Sequence, residues 1–205
     1  MTRQPGICPM DEITQAKRGL RKKILAEIRQ SGPLRPEWDR AFITHLTDVA
    51  RTLDWSSVLA FAPLPSEPAI EPVIESWMET GRTVLLPRVG PEPGVMEPVA
   101  LDRPLEALNR DSLGVRTPEG VAWEGVHIDL ILVPGCGFDE QLHRLGRGGG
   151  YYDRFLSDRN YGCAMGIGYE CQVVRSIPTG SHDRRVDTLV TEQRVLGTFP
   201  EENPK

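Results

Sequence analysis

The chain has little of what would place it in a membrane, in an oxidising compartment or on a nucleic acid. No apolar run among its 205 residues approaches the roughly 20 needed to span a bilayer. The first nine residues lack the apolar centre of a secretory leader, which points to a cytoplasmic protein. Cys8, Cys136, Cys163 and Cys171 show no C-x-x-C spacing, so neither a disulfide frame nor a zinc site is implied. Positive charge is in deficit: the formal net charge is −5, which argues against a general nucleic-acid binder. Internal repeats and linker-like stretches are missing too. The expectation is one domain over residues 10–200 behind a loose tail at 1–9, with the 39% hydrophobic content ordinary for a globular chain.

Against that background one stretch stands out. Leu130-Ile131-Leu132-Val133 is a continuous apolar run, the pattern of a strand buried on both faces of a parallel sheet. Pro134-Gly135 stops it. A loop follows with Arg144-Leu145-Gly146-Arg147-Gly148-Gly149-Gly150, and Tyr151-Tyr152-Asp153-Arg154-Phe155-Leu156 opens a helix. Strand, glycine loop and helix together make an anion site, because main-chain N–H groups and a helix N-terminus converge where no Cβ intervenes. Arg144 and Arg147 add planar, permanently charged forks that suit phosphate oxygens. Asp153 would repel such an anion and makes sense as a ligand for a magnesium ion travelling with it. Two common phosphate motifs are absent: no Gly-Lys-Ser/Thr closes the loop, and Tyr151 stands where a dinucleotide fingerprint needs its third glycine.

The remaining pattern is α/β. Asp11 to Ile28 is an amphipathic helix on which Lys17 and Arg21, four apart, share a face and can converge on one anion. A second helix is expected from Pro36 to Thr52, with His45 packed rather than ligating. Ser57–Ala62 reads as a buried strand, and Glu67–Thr80 as a helix. That places Glu67 at a strand's carboxyl end, where open α/β sheets gather ligand contacts. A carboxylate that merely favours the helix dipole is the alternative. Strands are further expected at 83–86, 95–99, 127–133, 163–168, 186–191 and 195–199. Short strands alternating with helices predict a three-layer α/β fold, a mostly parallel sheet covered on both faces.

Pro-Gly-x-x-Phe-Asp at 134–139, followed by Arg-Leu-Gly-Arg-Gly-Gly-Gly-Tyr-Tyr-Asp-Arg at 144–154, resembles the signature of the 5-formyltetrahydrofolate cyclo-ligases, also called 5,10-methenyltetrahydrofolate synthetases. The likeness extends over most of residues 16–195, through Lys17-x-x-x-Arg21, the loop Phe61–Glu67, Leu86-Pro87-Arg88, and a closing block of Gln172, Ile177-Pro178, His182-Asp183 and Asp187–Glu192. It implies an ATP- and magnesium-dependent enzyme that converts 5-formyltetrahydrofolate to the 5,10-methenyl form, as a monomer without nucleic-acid or membrane partners.

By the same resemblance ATP contacts fall on Lys17, Arg18, Gly19, Leu20 and Arg21, and on Arg144, Leu145, Gly146, Arg147, Gly148, Gly149, Gly150, Tyr151 and Tyr152. Folate contacts fall on Ala62, Glu67 and Tyr152, magnesium on Asp153 and Asp187, and the catalytic charges on Arg144 and Arg147. One departure is visible. Where the family often carries Glu-Pro, this chain has Thr117-Pro118. Rival readings are a sugar-phosphate isomerase of similar architecture and a catalytically silent folate- or nucleotide-binding paralogue.

Overall fold

A computed structural model describes residues 9–199 except 91, 93, 112, 113, 126 and 159. The expected tail therefore lies outside the described residues, save that residue 9 already opens the first helix. Helix α1 (Pro9–Gln30) carries Asp11 and Glu12 in its first turn and Arg29 in its last, charges that complement its dipole. Helix α2 (Arg35–Arg51) starts with proline in its first turn. Then come β1 (Ser57–Leu59), α3 (Glu71–Glu79), β2 (Thr83–Val89), β3 (Met96–Ala100), β4 (His127–Pro134), β5 (Gly137–Asp139) and β6 (Arg144–Leu145). The chain closes with α4 (Tyr151–Asp158), β7 (Asn160–Ile167), β8 (Val173–Val174), β9 (Thr188–Val190) and β10 (Val195–Gly197).

Seven strands form one sheet in the order β10-β9-β7-β4-β1-β2-β3. Its interior pairings, β2 with β1, β1 with β4, β4 with β7 and β7 with β9, are all parallel, and only the edge strands β3 and β10 run antiparallel. The expected mostly parallel α/β sheet is what forms. Its unbroken apolar strands follow from the two covered faces. Val58, Leu130, Leu132, Cys163 and Met165 pack with α2 and α3 through Phe42, Leu46, Ile74 and Trp77. Leu59, Ile131, Val133 and Ala164 point the other way, toward Phe155 and Leu156 of α4. Among the described residues no helix is long and apolar enough to cross a membrane.

Two features differ from expectation. The helix after β1 begins at Glu71 rather than at 67, because the chain first makes a turn closed by the Glu67 amide on the Leu64 carbonyl (2.9 Å). Glu67 is thus a loop residue four positions ahead of the helix. The second difference is a small sheet, β6-β5-β8, drawn from what reads as loop. Its strands are two or three residues long, too short for any period to register. Helix α1 covers it through Ile24 and Ile28 against Cys136, Leu145 and Ile177. This packing sets α1 beside the glycine loop.

Candidate active site

The parallel strands β1 and β4 end at the same edge of the sheet, and the loops leaving them, 60–70 and 135–150, face each other there. In the glycine loop, Gly148 (φ +109) and Gly150 (φ +69) take left-handed conformations that a side chain would strain. A Cβ on Gly149 would lie 2.6 Å from the Tyr151 ring. Among the described residues no hydrogen bond is donated by the amides of 146–150. Five successive N–H groups therefore lead into the N-terminus of α4 without protein acceptors, the arrangement that receives an anion.

Cationic side chains gather around this loop, each with a partner already, and Arg154 of α4 is among them, donating to the Gly149 and Gly94 carbonyls. Arg21 donates from Nε to the Gly146 carbonyl at 2.6 Å, so α1 does reach the loop. Lys17, one turn earlier, is ion-paired with Asp183 at 2.5 Å instead. Burial would raise the Asp183 carboxyl, but the Gly180 amide and the Lys17 ammonium outweigh it and hold the group below its usual range. Arg18 and Gly19 are exposed on the other faces of α1, and Leu20 packs toward the small sheet. Of that segment, Arg21 is set against the glycine loop, while Lys17 is held by Asp183.

The two loop arginines differ sharply. Arg144 is 4% exposed in its side chain, 3.0 Å from Asp153, and lies over the Tyr152 ring at 5.6 Å. Its Nε has no hydrogen-bond partner among the described residues. Arg147 is 41% exposed and crosses the mouth of the site to Glu67, with nitrogens 2.8 and 3.1 Å from Oε1, and also reaches Ser66 Oγ at 2.8 Å. The Leu64 amide takes the other Glu67 oxygen at 2.9 Å. Glu67, itself buried, sits at the junction of the two loops.

Both loops line a pocket of about 210 Å³. Ala62, Glu67, Arg144, Gly146, Arg147, Gly149, Gly150, Tyr151 and Tyr152, singled out from sequence, all border it. Leu145 does not; it is buried beneath, against α1. The Tyr152 hydroxyl is buried without a hydrogen-bond partner among the described residues, and burial, reinforced by Glu67, pushes its pKa up, so it stays a neutral donor. Phe61, Pro87, Val89, Met96 and Pro134 supply flat apolar walls. They come from distant segments: Phe61, Pro87 and Pro134 stand in stretches that carry the family resemblance, and Val89 and Met96 in none.

Thr117 is on the wall as well, beside Asp111 and Arg116. The loop that departs from the family pattern therefore borders the pocket, and it brings an acid of its own. A second cavity of about 400 Å³ adjoins the first through Leu64 and Arg147 and is bordered by Arg29 and Arg35.

The two carboxylates expected to hold magnesium are engaged in different ways. Asp153 pairs with Arg144 and accepts the Arg184 amide at 3.1 Å. Asp187 stands just before β9 and accepts the Ala164 amide at 2.7 Å. Among the described residues no group of three or more His, Cys, Asp or Glu could hold a metal ion. The described residues thus offer no preformed cage, and two carboxylates suit an ion that arrives with most of its ligands on a phosphate chain.

Comparison with known proteins gives the family and the fold. The model of the 5-formyltetrahydrofolate cyclo-ligase family matches residues 13–192. The chain is 31% identical over 141 residues to a probable 5-formyltetrahydrofolate cyclo-ligase of Schizosaccharomyces pombe, an alignment covering 60% of this chain and 68% of that one. It is 27% identical over 195 residues to the 5-formyltetrahydrofolate cyclo-ligase of Mus musculus, covering 88% and 95%. Among solved structures, the 5,10-methenyltetrahydrofolate synthetase of Aquifex aeolicus superposes with a TM-score of 0.76 at 30% identity, over 92% of this chain and 95% of that one.

Proposed function

The chain belongs to the 5-formyltetrahydrofolate cyclo-ligase family, and from that membership we propose that it closes 5-formyltetrahydrofolate to 5,10-methenyltetrahydrofolate at the expense of ATP. The observation that carries this reading is the single pocket on which Glu67, Tyr152 and the glycine loop all open. Its apolar walls suit a flat pterin, Glu67 accepts from the donor edge of such a ring, and the loop amides face phosphate.

The chemical difficulty is the formyl oxygen, which cannot leave as hydroxide. In the proposed sequence that oxygen attacks the γ-phosphorus of ATP and the bond to the β-phosphate oxygen breaks, releasing ADP. The lone pair of N10 then adds to the formyl carbon. The C–O bond breaks, the former formyl oxygen departs on inorganic phosphate, and N10 gives up its proton. Phosphoryl transfer of this kind depends on positioning and on neutralising charge spread over the phosphoryl oxygens.

This chain's own groups do that work. The amides of 146–150 cradle the phosphates, Arg21 holds the loop from α1, and Arg147 swings from Glu67 to the transferring group. Arg144 keeps Asp153 and Tyr152 in place and offers its unpartnered Nε–H. Magnesium, when bound, would neutralise phosphate charge, with Asp153 and Asp187 as the residues to hold it. Arg18 and Gly19, exposed on α1, take no part in this scheme.

The test is direct. Protein, 5-formyltetrahydrofolate, ATP and magnesium are mixed, and the near-ultraviolet absorbance of the methenyl product is followed with each component omitted in turn. Product in the complete mixture only is the expected result; none in any mixture ends the proposal.

A further inference from the structure

Nothing in regular structure holds Glu67 where it is. Residues 64–69 belong to no helix or strand. What fixes them is a network outside the pocket. Tyr169, fully buried after β7, gives its single hydroxyl proton to Asp39 Oδ1 at 2.5 Å. It receives N–H groups of Arg35 at 3.1 and 3.3 Å, and Arg35 also lies over its ring at 5.3 Å. Arg35 and Asp39 are both on the first turns of α2 and both turn back onto the loop. Arg35 donates to the carbonyls of Pro65 and of Glu67, the latter at 3.0 Å. Asp39 Oδ1 accepts the amide of Ala69 at 3.1 Å. The main chain is thus gripped at 65, 67 and 69, every second residue, by side chains that do not border the pocket.

The donor count shows that the network is complete. Tyrosine has one proton, and the charged Asp39 takes it, so the Glu67 carbonyl, 3.3 Å from the same hydroxyl, depends on Arg35. Burial, then the neighbouring Asp39 carboxylate, raise the Tyr169 hydroxyl, which keeps that proton in place at any physiological pH. Trp38 closes the other side, its ring 5.6 Å from Tyr169.

We infer that Arg35, Asp39 and Tyr169 are positioning residues for the folate half of the reaction: they fix the Glu67 backbone so that its carboxylate meets the substrate at one place. The inference rests on the reading of Glu67 as a folate contact. It separates the two substrates, because the network grips the main chain of the loop after β1, whereas the main chain of the glycine loop is held by Arg21 at the Gly146 carbonyl and Arg154 at the Gly149 carbonyl, the Arg147 side chain joining the two loops.

The experiment uses Tyr169→Phe and Asp39→Asn in the full chain, with steady-state kinetics for both substrates and amide hydrogen exchange of residues 64–69. Expected are a rise of about tenfold in KM for 5-formyltetrahydrofolate, the worth of one charge-assisted hydrogen bond, a KM for ATP unchanged within twofold, and faster exchange in the loop. Tyr169→Phe added to Glu67→Gln should change the folate KM no further. Unchanged loop exchange, or equal effects on both substrates, overturns the inference. Faster exchange with an unaltered folate KM would instead show that the network holds the loop but that Glu67 does not bind folate. Should either variant fold poorly, Arg35→Lys, which keeps the charge and loses the fork, gives the same contrast.

Discussion

Two carboxylates at opposite edges of the sheet show what distinguishes a strut from a site. Asp129, at the amino ends of β1 and β4, accepts four hydrogen bonds from the amides and hydroxyls of Ser56 and Ser57, at 2.8 to 2.9 Å. Burial would raise it, yet those bonds prevail and hold its pKa at about 2. Glu67, at the carboxyl edge, is the more buried of the two, and among the described residues its carboxylate has the Leu64 amide and the Arg147 fork. The four hydrogen bonds to Asp129 all come from fixed main chain or a short serine, with His127 a more distant partner at 3.5 Å. The Glu67 fork is a long side chain, half in solvent, on a loop whose amides have no acceptor among the described residues. A carboxylate whose partners cannot leave is structural; one whose partner can be drawn off by a ligand is available for chemistry.

The sharpest way to break this contrast is Arg147→Ala. Losing a charge proposed to reach the transferring phosphate should cost about 2–3 kcal/mol, roughly a hundredfold in kcat/KM, with the fold kept. Near-wild-type turnover would remove Arg147 from the mechanism. Next in size is Glu67→Gln, expected to raise the folate KM about tenfold through a weakened charge-assisted bond. An unchanged KM would make Glu67 a strut like Asp129.

Asp187→Asn should show a defect of a few-fold, on the order of 1 kcal/mol, that shrinks as magnesium is raised. A defect indifferent to magnesium would assign the residue to the Ala164 amide and the β7–β9 pairing. Smallest for activity is Asp129→Asn: turnover per folded molecule unchanged, stability lower by about 1–2 kcal/mol. Because the folded pKa of Asp129 lies below its usual 3.8, its contribution is present above about 4 and lost as pH falls toward 2. Melting temperature against pH over that window should therefore fall less steeply in the variant than in the parent.

How legible was this in the chain? The glycine loop, its two arginines and the helix opening at Tyr151 were readable because they are contiguous, and glycine density is a local signal. The parallel sheet was readable because strands buried on both faces leave unbroken apolar runs, as in Leu130–Val133. The small sheet of β5, β6 and β8 was not, since strands of two or three residues carry no period. Helix α3 starts later than its apolar spacing suggests, because the turn at 64–67 is closed by Glu67 itself.

The sequence alone determined which chemical groups the protein possesses and the order in which strand, loop and helix present them, since those depend on neighbours along the chain. Only the tertiary structure decided the partners: Arg147 with Glu67 across 80 positions, Lys17 with Asp183 across 166, and Tyr169 with Asp39 across 130. Ion pairs and hydrogen bonds act over a few ångströms, and which residues come that close is settled by strand order and helix packing, to which no local pattern is sensitive.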